Sequence, residues 1–109
     1  MNEIQKKACE MMDDLRITRI ASQAAGAGTW VSGTLEGHRF DALVFPAHAE
    51  CSEYELGTSR IAKLWLQRLA DRTTVVNFDR GWDLRPTDEL AGRIAEFLEA
   101  GLAEHVLGV

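Results

Sequence analysis

Residues 29–45 read TWVSGTLEGHRFDALVF. Two runs rich in β-branched and aromatic residues flank Glu36-Gly37, the pattern of a β-hairpin. With a two-residue loop, Leu35 opposes His38, Gly33 opposes Phe40 and Val31 opposes Ala42. One face then holds Val31, Gly33, Leu35, Phe40, Ala42 and Val44. The other holds Ser32, Thr34, Arg39 and Asp41, with Trp30 and Leu43 at one end. Phe40 beside Gly33 would cover bare backbone, as aromatics do for strand glycines. Glu is not the usual first residue of a type I′ turn. A three-residue loop with Gly37 left-handed would shift the register by one and seat Trp30 with Phe40. The sorting of side chains favours the first register.

Pro46 closes the second strand because it cannot donate to a ladder. Residues 46–60, PAHAECSEYELGTSR, have no sustained period, and loops of that length are often functional. In residues 60–70, RIAKLWLQRLA, periodicity leans to a helix face of Ile61, Leu64, Trp65 and Leu69. Alternation with Ala62, Leu64 and Leu66 on one side fits less cleanly. Residues 73–79, TTVVNFD, form a strand by β-branched content, with Asp71-Arg72 as a turn before it. The chain then turns through GWDLRP into a C-terminal helix with Thr87 as N-cap and a stripe of Leu90, Ile94, Leu98, Leu102 and Val106.

Towards the N-terminus, Ile4, Ala8, Met11, Met12 and Leu15 share one helical face, which predicts a helix over residues 2–20. Residues 21–28, ASQAAGAG, read as a flexible linker. The domain division is therefore an N-terminal helix and linker over 1–28 and one domain over 29–109.

The 109 residues, 46% apolar and 27% charged, suit a single domain with a modest core. A net charge of -5 argues against a broad nucleic-acid face, which needs clustered cations. No apolar run approaches the roughly 20 residues of a membrane span. The opening MNEIQKKACEMMDD has no apolar signal core, so a cytoplasmic setting with Cys9 and Cys51 as free thiols is expected.

The hairpin, the run SEYELGTSRIAKLWL and the stretch NFDRGWDLRP together resemble a family of short uncharacterised bacterial proteins, often encoded in phage-derived or mobile regions. The resemblance covers residues 29–98 and implies a strand over 60–68. It implies an α+β fold of order α-β-β-β-β-α: a four-stranded antiparallel meander with the C-terminal helix packed on one face. The loop AHAECSEYEL and the N-terminal segment depart from the family pattern. The second sheet face, carrying Trp30, Leu43 and Trp65, would need the N-terminal helix or a partner to cover it.

His48, Glu50, Cys51 and Glu53 lie close in the long loop, but His-x-x-Cys supplies only two of the four ligands of a structural zinc site. His48 and Cys51 as a nucleophile pair lack any oxyanion feature. No metal, cofactor or catalytic group is assigned. The strings that the resemblance picks out give a candidate binding patch: Glu53, Tyr54, Arg60, Lys63, Asp79, Arg80, Trp82 and Asp83. Tyr54 and Trp82 would be flat anchors, and the charged groups would confer specificity. The expectation is a non-catalytic interaction or accessory protein that binds a protein partner or itself. The alternative is a small-ligand binder or small enzyme using the Tyr/Arg/Asp patch.

Overall fold

A computed structural model describes residues 11–23, 27–49, 51–57 and 59–108. Six strands form one antiparallel sheet in chain order: β1 (Arg16–Ser22), β2 (Thr29–Leu35), β3 (His38–Val44), β4 (Ile61–Arg68), β5 (Thr73–Asp79) and β6 (Trp82–Leu84). A helix α1 (Glu89–Leu107) follows. The α+β class, the antiparallel sheet and the C-terminal helix are as expected, but the sheet has six strands rather than four.

The first extra strand replaces the C-terminal part of the expected helix. Residues 11–14 are helical and Leu15 N–H donates to Met11 O at 2.9 Å, but the chain then extends into β1. Residues 2–10 of the expected helix lie outside the described residues. The sequence RITRIAS carries three β-branched residues, which favour a pleated strand. A bulge between Ile17 and Arg19 pairs Ile17 with Gly33 and Ile20 with Val31. Both isoleucines thus lie on one face although three residues apart, a spacing that imitates a helix. The expected linker is part strand, since Ala21 and Ser22 pair with Trp30 and Thr29. The second extra strand, β6, lies within the expected turn GWDLRP and pairs Trp82 with Phe78 and Leu84 with Asn77.

The β2–β3 register is the one the sorting favours, with Leu35 opposite His38 and Gly33 opposite Phe40. Glu36 (φ 50°) and Gly37 (φ 71°) both sit left-handed, as a type I′ turn requires. Residues 61–68 form a strand, as the resemblance implied and periodicity did not.

The inner face of the sheet holds Val31, Leu35, Phe40, Ala42, Leu64, Leu66, Val76 and Phe78, all buried. Helix α1 lays Ala91, Ile94, Ala95, Leu98 and Leu102 against the same cluster, and Met11 joins it. Burying each larger side chain contributes about 1.5–3 kcal/mol. The N-cap is Asp88 rather than Thr87: its Oδ1 accepts from Ala91 N–H at 2.8 Å. Thr87 instead gives its N–H to Val75 O at 3.1 Å, tying the helix start to the sheet. Gly108 (φ 74°) ends the helix left-handed, its N–H on Glu104 O.

Candidate functional site

The backbone brings several of the predicted patch residues to one end of the sheet. Arg60 precedes β4, and Arg80 follows β5 with its N–H on Ala62 O at 2.9 Å. Both arginines are left-handed, at φ 66° and 53°, a conformation non-glycine residues adopt only when their surroundings hold them there. Lys63 and Asp79 form an ion pair of 3.6 Å across β4 and β5.

The side chains then divide. Lys63 and Asp79 lie on the outer sheet face, in register with Leu43. Trp82 turns to the inner side and meets Phe78 edge-on, centroids 5.2 Å apart, with the Arg85 guanidinium 5.3 Å from its ring. Glu53 and Tyr54 stand exposed on a 3-10 turn (Ser52–Tyr54), and Asp83 is exposed on β6. Arg60 faces a different feature, the cleft beside α1. These seven side chains are therefore spread over separate surfaces.

The outer sheet face carries Trp30, Ser32, Thr34, Arg39, Asp41, Leu43, Lys63, Trp65, Gln67 and Asn77, with Arg16 and Arg19 from β1 beside Thr34 and Ser32. Helix α1 packs on the opposite face. Among the described residues the outer face meets only the approach to β2: Gly28, at φ 87°, sits so close to Leu43 and Phe45 that a Cβ there would lie 3.0 Å from each. Leu43 is accordingly buried, while Trp30 and Trp65 are half-buried. Trp65 Nε1 donates to Thr74 Oγ1 at 3.2 Å, which fixes the indole plane. Ser32 donates to the Asp41 carboxylate, and Arg39 lies 3.8 Å from it.

The long loop between β3 and β4 is organised around Glu55, which is 6% exposed. Its carboxylate is 2.8 Å from His48 Nδ1 and accepts from Ala49 N–H at 2.6 Å and Arg60 N–H at 3.4 Å. Burial pushes the carboxyl upward, but the hydrogen bonds from His48, Ala49 and Arg60 outweigh it and hold it below its ordinary value. Gly57 (φ 57°) packs against the Glu99 carboxylate, which would have to move aside to admit a Cβ. A cleft of about 660 Å³ remains between loop and helix, lined among others by His48, Arg60, Glu96, Glu99 and Glu104. The sequence reading weighed His48 for metal and nucleophile chemistry and assigned it neither. The structure gives it to Glu55, a pairing across seven loop residues that no periodicity announces. Cys51 is a half-buried free thiol. Among the described residues no three His, Cys, Asp or Glu side chains converge to hold a metal, and no helix is long and apolar enough to cross a membrane.

No curated protein and no solved structure matches the chain. The domain of unknown function DUF7678 matches residues 29–103, from the first residue of β2 to within α1, and the chain belongs to that family.

Proposed function

We propose that the chain is a non-catalytic interaction module that docks a protein partner on the outer face of its sheet. One observation supports this above the rest: a broad face that no helix covers among the described residues holds two half-buried tryptophans amid fixed charges. Tryptophan and arginine are the residue types that dominate binding hot spots. The cations Arg16, Arg19, Arg39 and Lys63 outnumber the acids Asp41 and Asp79 there, although the whole chain is acidic. The occupant that fits is a protein surface with an apolar centre and an acidic rim. On this reading the protein works in the cytoplasm and its partner is sought among the products of neighbouring genes, as expected of a protein encoded in a mobile region.

A photo-crosslinking residue placed at Thr34, on the outer face, should trap one protein in cells, and the adduct should vanish with Trp65→Gln. The same group at Glu96, on the exposed side of α1, should trap none. Equal labelling from both positions, or none from Thr34, overturns the reading.

A further inference from the structure

Strand β1 stands at one edge of the sheet, with β2 as its single neighbour among the described residues. The alternation of an antiparallel ladder fixes which of its backbone groups are used. Gln23 donates its N–H to Gly28 O at 3.1 Å, and Ala21 and Arg19 follow at two-residue steps, opposite Trp30 and Ser32. These residues turn their backbone groups to β2. Ile20 and Ser22, set between them, point their N–H and C=O groups the other way, over the open edge.

The side chains supply a second observation. Ile20 lies in register with Val31, Ala42, Leu64 and Phe78, one row on the helix side of the sheet. The other four members are at most 4% exposed, whereas Ile20 is 55% exposed. Helix α1 lies mainly over β4 and β5 and leaves the β1 end of the row open. An apolar core row thus ends in solvent at the strand whose edge is unpaired. Proteins blunt such edges with bulges and charges. Here the bulge between Ile17 and Arg19 blunts the first half of β1, and the regular second half carries Ile20.

We propose that this second half of β1 pairs antiparallel with the same segment of a second copy of the chain, about a two-fold axis at Ile20, so that one sheet runs through both copies. The register follows from the residues. Centring on Arg19 would set like charges directly opposite, and centring on Ala21 would set Ile20 against Ser22. Centring on Ile20 exchanges two N–H···O bonds between the outward groups of the two isoleucines and joins the core rows end to end. It also sets each Arg19 opposite the other copy's Ala21. Ala21 is small and pairs with the half-buried Trp30, so the incoming guanidinium passes over it to the indole, a favourable contact for a cation. The area buried is small beside a standard interface, so the dimer is weak and reversible. It does not depend on what docks on the outer face.

Sedimentation equilibrium of the full chain from about 10 µM to about 1 mM should show a reversible monomer–dimer equilibrium. Ile20→Pro removes an N–H that faces away from β2, so it should abolish the dimer and leave the circular dichroism unchanged. Ile20→Lys keeps that N–H but opposes two cations, and should weaken association by about tenfold or more; it carries the same test if the proline variant fails to fold. Amide hydrogen exchange locates the contact: protection of Ile20 should rise with protein concentration, while that of Ala21, already bonded within the chain, should not. A monomer at every concentration overturns the proposal and leaves the edge to an acidic strand of another protein. So does a dimer that survives both substitutions, or protection that rises equally at Ile20 and Ala21.

Discussion

Gly33→Ala tests whether β1 is part of the sheet, because the sign of its effect depends on that strand. Gly33 lies on the inner face of β2, between Ile17 of β1 and Phe40 of β3. A Cβ there would press on the Arg16 carbonyl oxygen and sit 2.9 Å from two atoms of the Phe40 ring. Relaxed carbon contacts are about 3.5–4.0 Å, so the ring must retreat by roughly 0.6–1 Å into a filled core. The Arg16 oxygen belongs to backbone held in a ladder and has less room to move. Overpacking of this kind destabilises by about 1–3 kcal/mol, against roughly 0.5–1 kcal/mol gained on replacing a strand glycine. The expected net loss is about 1–2 kcal/mol, which moves a urea midpoint down by about 1 M at an m-value near 1–1.5 kcal/mol/M. A cycle with Phe40→Leu separates the two collisions. Part of the penalty should survive removal of the ring, because the Arg16 oxygen stays. If Gly33→Ala is neutral or stabilising, or if Phe40→Leu abolishes the whole penalty, β1 does not lie where it is described.

Three further outcomes are expected. Glu36→Asn should raise stability by about 0.5–1 kcal/mol in urea unfolding, since Asn-Gly suits the two left-handed positions and the bond from Glu36 N–H to Asp14, at 2.5 Å, is a backbone one that survives. Three carboxyls are held below their ordinary values: Glu55 by bonds from His48, Ala49 and Arg60 that overcome burial, Asp71 chiefly by Thr73 N–H, and Asp88 chiefly by Ala91 N–H. Each stabilises the fold fully above its ordinary value, 4.5 for Glu55 and 3.8 for the aspartates, and the gain fades as pH falls through the lowered native values. Urea midpoints should accordingly drop as the pH is taken from neutral to about 3. Glu55→Gln should cost about 1–3 kcal/mol at neutral pH and flatten that decline; an unchanged slope would show that Glu55 is not the buried acceptor of the loop.

The β2–β3 hairpin was legible because its register follows from one face of apolar residues and a two-residue turn, both local. The α1 stripe was legible for the same reason, and the cap slipped by only one residue because Thr87 and Asp88 are both acceptable caps. Strand β4 was harder. Trp65 sits on the outer face, where its bulk completes a false helical stripe with Ile61, Leu64 and Leu69. Strand β1 was hidden by its bulge, which gives Ile17, packed against the core, and the exposed Ile20 a helical spacing on one face. Strand β6 is three residues long, too short to show alternation. The candidate patch was grouped by adjacency in sequence, and of its eight residues only Lys63, Asp79, Trp82 and Asp83 lie on strands, where the register puts Lys63 and Asp79 on the outer face and Trp82 on the inner. The pairings that organise the loop and the helix start, His48 with Glu55 and Arg68 with Asp88, join positions 7 and 20 residues apart.

Every pair of neighbouring strands in this sheet is also consecutive along the chain. Each strand can therefore be added by closing one connection to the strand before it, short at every step but the long loop between β3 and β4, with no crossover to thread and no distant segment to await. The loop-closure entropy that slows most β-rich domains is divided into small instalments, and folding should run at the fast end of the range for sheets of this size. The same order makes the edges separable: the outermost strand can be gained, lost or reshaped without repairing the interior. The family match begins at β2 and leaves β1 outside it, as an edge addition of this kind would.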